Sequence, residues 1–533
     1  MKKIERIIKS LKIERRPFNE LLNRENRKPW LIDHLLYFFR QETCFRFILC
    51  CFPVLLFSSV VTNAQTTSQA TGSKPGKIFK AGASTSNITP PLGQGIVGNF
   101  GTPPPAMHIH DQLHVRSIVL DDGETRLVFV VVDNVGVTQE VFDEAKRLIN
   151  AATGLPKENV LTSSTHTHSA TSAGGSGDKR RGYNKGGPLD EYQSFLAQRI
   201  SDGVQVAINN LQPARIGWGV GNVPQHLFNR RWKMKPGSPV PNPFGGQDKV
   251  MMNPGVGNPN LLEPAGPTDP QVSFLSVQSL EGKPIALLGN YSLHYVGGVP
   301  KNDISADYFA VFADRFQELL KADRQDPPFV AIMSNGTSGD VNNINFRGPA
   351  EKLAPYEKMR VVANDVAQEV LRVYKTIEHK DWVRLQAAQT MLTLQVRKPT
   401  PEMITYANNI LAKPENETPF HKNERAYADR ALQLHKEWPD KIDIILQAFN
   451  IGGLGIAAIP FETFTQTGLD IKAKSPFKPT FTIELANGNF GYLPTPEQHL
   501  LGGYETWLGT NKVETNASEK IVKELLTLFS GFK

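Results

Sequence analysis

The 533-residue chain predicts a mixed α/β fold in which β-sheets are buried between helices. Three observations carry this. Short apolar runs alternate with longer amphipathic stretches through the body of the chain. Hydrophobic residues make up 40% and charged residues 21%, the balance of a chain that buries a large core. No internal repeat or heptad run offers a different architecture.

The elements follow in order. Residues 1–64 read as a targeting segment. Residues 1–46 hold twelve Lys/Arg and six Asp/Glu, and 47–61 is an apolar run too short for a comfortable membrane span. Thr62-Asn63-Ala64 then supplies small residues for cleavage after Ala64, which implies a secreted or periplasmic protein; an uncleaved membrane anchor is the alternative. Cys44, Cys50 and Cys51 all lie in this leader, so the mature chain would have neither disulfides nor thiolate chemistry. From Gln65 onward there are 47 basic and 46 acidic residues. The excess positive charge therefore belongs to the leader, and no nucleic-acid partner follows from it.

Residues 65–80, rich in Thr, Ser, Gly and Lys, read as a linker, and 81–533 as one catalytic domain. The apolar runs 126–133, 159–165, 271–280, 285–293, 329–335, 383–394, 442–449 and 454–459 predict strands. Amphipathic stretches at 139–152, 190–210, 306–320, 350–374, 423–437 and 517–529 predict helices. Between about 222 and 270 the pattern gives way to Pro, Gly and Asn, the composition of a long site-forming loop. Neither G-x-G-x-x-G nor a P-loop is present, which removes the sequence support for nucleotide binding.

Polar residues at the ends of apolar strands are the candidates for chemistry, because a rigid sheet aims them into a shared crevice. Thr165-His-Thr-His-Ser169 follows one such run. If that segment is extended, His166 and His168 point to the same side, where they can share a metal, or one can bind it while the other handles a proton. His294 ends the run from Ile285, and Asn335-Gly-Thr-Ser-Gly-Asp340 follows the run from Phe329. Glu462 follows Leu454–Ile459, and Tyr492 follows a Gly/Asn turn. Each has an ordinary alternative: a satisfied strand-end histidine, a glutamate capping a helix near Thr463, a half-buried tyrosine, and tight turns at Gly336 and Gly339. Together, two imidazoles and a carboxylate make a zinc shell that leaves a position for water or substrate. Tyr492 can complete that shell, and Arg230 can bind an anionic or hydroxylated group.

Thr165-His-Thr-His-Ser169 preceded by Asn159-Val-Leu, and Gly491-Tyr-Leu-Pro-Thr-Pro-Glu497 followed by Gly502-Gly-Tyr-Glu505, resemble the neutral/alkaline non-lysosomal ceramidases and their bacterial relatives. The resemblance implies a zinc-dependent amidase that cleaves the N-acyl bond of ceramide, with a lipid substrate and transient contact with a membrane surface. It implies that His166, His294, Glu462 and Tyr492 hold Zn2+ and that His168 assists proton transfer. It also implies that Arg230, with Arg231 as its rival, and Tyr504 meet the substrate. Where ceramidases carry Gly-Asp-Val-Ser-Pro-Asn, this chain has Gly339-Asp-Val-Asn-Asn-Ile344. Asn342 thus replaces a serine that helps hold the ceramide head, and a serine nucleophile at that position is excluded. Tyr504 is followed closely by a helical stretch at 517–529, and from this we expect no counterpart of the immunoglobulin-like C-terminal domain of the true ceramidases. Two further readings stay open: a metal-dependent hydrolase of another secreted substrate, such as a carbohydrate ester or N-acyl amino sugar, and a non-catalytic binding protein on the same fold.

Overall fold

Eight strands form one large sheet in the computed structural model, which describes residues 77–98, 101–174, 187–322 and 325–532. They are β1 (Lys80–Asn87), β2 (His114–Asp121), β3 (Arg126–Val132), β4 (Val160–Ser164), β5 (Gln212–Asn222), β6 (Gln271–Ser279), β7 (Pro284–Tyr291) and β8 (Val330–Asn335). Their order across the sheet is β8-β7-β6-β5-β1-β2-β3-β4. The outer pairs, β7 with β8 and β3 with β4, are parallel, and the other neighbours are antiparallel. A second sheet has the order β9 (Leu385–Gln395), β10 (Lys441–Ile451), β11 (Leu454–Ala458) and β12 (Thr480–Ile483). The leader 1–64, its three cysteines and most of the 65–80 linker lie outside the described residues; Lys80 already belongs to β1.

Side-chain alternation explains why so many strands read as unbroken apolar runs. In β3, Leu127, Phe129 and Val131 join the core between the two sheets, whereas Val128, Val130 and Val132 join the core beneath the helices. Ile456 and Ala458 face the inter-sheet core from β11, and Ala457 faces the other way. Each fully buried aliphatic or aromatic side chain contributes about 1.5–3 kcal/mol of transfer energy. The outer layers are helical. Helices α1 (Gln139–Thr153) and α2 (Glu191–Asn209) cover one half of the large sheet, and α3 (Asp307–Leu320) and α4 (Glu357–Tyr374) cover the other. Helices α5 (Pro401–Ala412), α6 (Glu424–Lys436), α7 (Thr465–Lys474) and α8 (Ala517–Ser530) follow, with α6, α7 and α8 on the outer face of the small sheet. No described helix is long and apolar enough to cross a membrane.

Local chemistry sets several boundaries. Asp190 and Gln193 form a reciprocal capping box at the start of α2. The helix expected from 350 begins instead at Glu357: Pro355 disfavours helical backbone just before it, and Tyr356 sits at φ 65°. β5 carries glycines where a helix leans on it, since a Cβ on Gly219 would lie 2.7 Å from Val373 Cγ1. The 222–270 segment is more regular than its composition suggests. It contains Phe228–Asn229 and a three-stranded sheet of Arg231–Met234 flanked by Val250–Met252 and Leu261–Pro264.

The two parallel pairs are tied together by the chain that follows β12. Glu484 N donates to Asn335 O at the end of β8, and Ser164 N at the end of β4 donates to Leu485 O. The loops leaving β3, β4, β7 and β8 therefore share one neighbourhood.

Candidate metal centre

His166 lies two residues beyond β4. Its backbone is left-handed, at φ 71°, which corrects the extended geometry expected for the His-x-His segment. The conformation is held on both sides: His166 N donates to Asn134 O at 2.8 Å, and Nδ1 lies 2.5 Å from Val135 O. A carbonyl only accepts, so Nδ1 carries the proton and Nε2 presents a lone pair. His294, three residues past β7, repeats the arrangement with Nδ1 3.2 Å from Ser338 O.

The two Nε2 atoms then face each other at 2.9 Å, and Glu462 Oε2 lies 3.4 Å from the first and 3.7 Å from the second. With both imidazoles in that tautomer three lone-pair atoms converge, and Glu462 Oε2 is buried without a hydrogen-bond partner among the described residues. Such a convergence is costly unless a cation occupies it. Two ligands at zinc bond lengths in a tetrahedron lie about 3.3 Å apart, so the spacing suits that ion.

Glu462 and Tyr492 come together although thirty positions separate them in the chain, because Glu462–Thr463 pairs in parallel with Tyr492–Leu493 in direct register. Glu462 is therefore not a helix cap; α7 starts at Thr465. Burial is the main reason that His168 and His294 have pKa values far below that of an ordinary imidazole, which keeps both rings neutral. Tyr492 is hydrogen-bonded to Glu462 and accepts a bond of 3.0 Å from Arg230. Arg230 also donates to Gly339 O and to Glu505, both at 2.9 Å.

His168 Nε2 lies 3.0 Å from His166 Nε2, so the three imidazoles form a single cluster. The His168 ring stacks on Tyr295 at 3.7 Å and packs against Gly98, where a Cβ would lie 2.7 Å from the ring. Tyr504 meets the Tyr492 ring edge-on at 5.7 Å. Asn342 is not drawn to the cluster by any hydrogen bond among the described residues: its amide donates to Asn253 and accepts from Ile344 N. Of the rival arginines, Arg231 is fully buried and bound by Glu505, Gln498 and the Gly502 carbonyl, while Arg230 reaches Tyr492.

The glycines after β8 serve close approach and not a left-handed turn. A Cβ on Gly339 would lie 2.5 Å from Glu462 O, and one on Gly336 would lie 2.5 Å from Ser292 Oγ. Asp340 is structural, receiving Asn229 Nδ2 and Thr465 N and Oγ1.

Four contributors escaped the sequence reading: Tyr295, Ser338 in its positioning role, Glu484 and Glu505. Ser338 Oγ donates to Glu484 Oε1 at 2.6 Å, and Thr463 N donates to Glu484 Oε2 at 2.7 Å, so one buried carboxyl braces the loops of both His294 and Glu462. Glu484→Ala is expected to weaken metal binding about 10–100-fold, the usual cost of losing support behind a ligand. Competition against a chelator at matched folded fraction checks this; unchanged affinity would remove Glu484 from the account.

Paired sheets with a histidine-rich cluster at the strand ends define a mixed α/β protein with a candidate metal centre. Residues 79–359, just over half of the chain, match the family model described as neutral/alkaline non-lysosomal ceramidase, N-terminal, and the chain belongs to that family. Its fold is similar to that of the neutral ceramidase from Pseudomonas aeruginosa, with a TM-score of 0.62 and 16% identity over 85% of this chain and 74% of that one. A ceramidase structure described as complexed with C2 is similar at a TM-score of 0.61, also with 16% identity, over 85% and 75% of the two chains.

Proposed function

We propose that this protein is a zinc-dependent amidohydrolase that cleaves the N-acyl bond of a sphingolipid-like substrate. The observation that carries the reading is the convergence of His166 Nε2, His294 Nε2 and Glu462 Oε2 within 2.9 to 3.7 Å of one another. These three residues, with the Tyr492 hydroxyl, hold the ion. Zinc, when bound, lowers the pKa of a water molecule and polarises an acyl carbonyl.

The chain's own groups handle the protons and the orientation. His168 Nε2 lies 3.0 Å from His166 Nε2 and forms no ion pair with Glu462 among the described residues, and we assign it the role of base at the edge of the ligand set. Being neutral, it accepts the water proton as oxygen adds to the acyl carbon. It then passes the proton to the nitrogen as the C–N bond breaks, leaving a carboxylic acid and an amine, which become carboxylate and ammonium once the acid proton moves to the amine. Arg230 fixes the Tyr492 hydroxyl and adds positive charge where the acyl oxygen gains negative charge. Tyr504 supports that wall, and Asn342 steadies the strand pair next to Arg230. The leader sequence supports a secreted or periplasmic location, where a lipid substrate is met at a membrane surface.

Chelation tests the reading. The protein as purified should carry about one zinc per chain and hydrolyse N-dodecanoylsphingosine. Activity should vanish on metal removal and return with zinc; full activity in the metal-free protein would contradict it.

A further inference from the structure

Resting on that hydrolase reading, the geometry points to a subsite beside the centre in which Arg430 and Lys512 bind an acidic group, a carboxylate, sulfonate or phosphate, on the amine half of the substrate.

A cavity of about 360 Å³ has Glu462, Tyr492 and Tyr504 on its wall together with Arg430 from α6 and Lys512. Neither cation forms an ion pair among the described residues. The Arg430 guanidinium lies over the Tyr427 ring at 4.7 Å, and Lys512 Nζ lies 5.4 Å from the Trp438 ring centre. Arg430 gives one hydrogen bond to the Tyr427 hydroxyl, and the aromatic face beside Lys512 consumes no N–H donor, so the remaining guanidinium donors and the ammonium keep bonds to offer.

Room for them is built in. A Cβ on Gly509, at φ 94°, would lie 2.9 Å from Arg430 Cβ. One on Gly491 would lie 3.0 Å from Lys512 Nζ, and Gly491 immediately precedes Tyr492. The ammonium thus sits beside the backbone that presents the site tyrosine. Two positive charges in one small cavity repel each other, and an anion between them relieves that cost. The carboxylates on the same wall form no ion pair with either cation among the described residues: Glu462 acts on Lys512 only at a distance, with Oε2 directed at His166 and His294, and Glu140 lies across the cavity on α1. The cavity wall mixes aromatic faces with Arg430, Lys512, Gln139, Gln193 and Asn489, polar groups that a long alkyl chain leaves unpaired, so we assign the amine half to it and not the acyl tail.

The test uses the zinc-loaded full chain and three matched amides: N-dodecanoylethanolamine, which is neutral, N-dodecanoylglycine, a carboxylate, and N-dodecanoyltaurine, a sulfonate. A charge-assisted contact predicts kcat/KM at least about tenfold higher for an acidic amide than for the neutral one. Arg430→Gln or Lys512→Met should lower that ratio about tenfold, mainly through KM, and Lys512→Arg should retain it. Comparing glycine with taurine shows which anion is preferred. A wild-type ratio near one, or a ratio unmoved by either substitution, overturns the subsite. If no amide is hydrolysed, calorimetric titration with N-dodecanoyltaurine decides. Binding that is at least about tenfold weaker in Arg430→Gln and Lys512→Met keeps the subsite while the hydrolase reading falls. Equal binding in all variants, or none in the folded wild type, overturns the subsite itself.

Discussion

Replacing His166 with alanine is expected to remove the metal and to lower kcat/KM by on the order of a thousandfold or more, some 4 kcal/mol of lost transition-state stabilisation. The size follows from the position. His166 Nε2 is the one atom within 3.4 Å of His294, His168 and Glu462 alike, so its loss leaves the other groups without a common centre. Its left-handed backbone belongs to the same design, because the strain is held by Asn134 and Val135 from the neighbouring strand end. Metal analysis and single-substrate kinetics on the purified variant check the expectation. His168→Ala should instead retain zinc and lose turnover, which separates ligand from base. A His166→Ala protein that keeps both metal and activity would show that the ion, if one is used, binds elsewhere.

The second large effect is on stability. Glu505 is fully buried and receives Arg230 on one oxygen at 2.9 Å and Arg231 on the other at 2.6 Å. Removing one partner of a buried ion pair leaves an uncompensated charge and costs about 3–5 kcal/mol. Here two guanidiniums lose their common counter-charge, so Glu505→Ala should fall at the upper end of that range. It should also lower activity, because Arg230 loses the anchor that directs it at Tyr492. Denaturant unfolding, read as a shift in midpoint, measures the first effect, and kinetics at a temperature where the variant is folded measure the second. A midpoint unchanged within error would mean that the two arginines find other partners at no cost.

The legible parts of the chain were those with a one-dimensional signature. The run 126–133 announces a strand because both of its faces are buried, and its alternate residues do enter two different cores. β1 was not legible, since Lys80-Ala-Gly-Ala-Ser-Thr-Ser-Asn87 lacks bulky apolar residues; its place is set by pairing with β2 along its whole length. β5 was hidden by Gly217, Gly219 and Gly221, whose missing side chains admit α4 and the chain after it. His166, His294 and Glu462 stood out as polar residues at strand ends. The arrangement around them did not, because it depends on contacts across the fold: the parallel register of Glu462 with Tyr492, the stacking of Tyr295 on His168, and the reach of Glu484 to Ser338. Glu505 looks like a surface charge in the sequence, and only its burial between Arg230 and Arg231 reveals its use.

The most direct test of the central claim is anomalous diffraction at the zinc edge from crystals of the zinc-loaded protein. The account predicts one ion bonded to His166 Nε2, His294 Nε2, a Glu462 oxygen and the Tyr492 hydroxyl, with His168 outside the coordination shell. An ion held by the three histidines without Glu462, or no ion at this position in protein that hydrolyses amides, would contradict it.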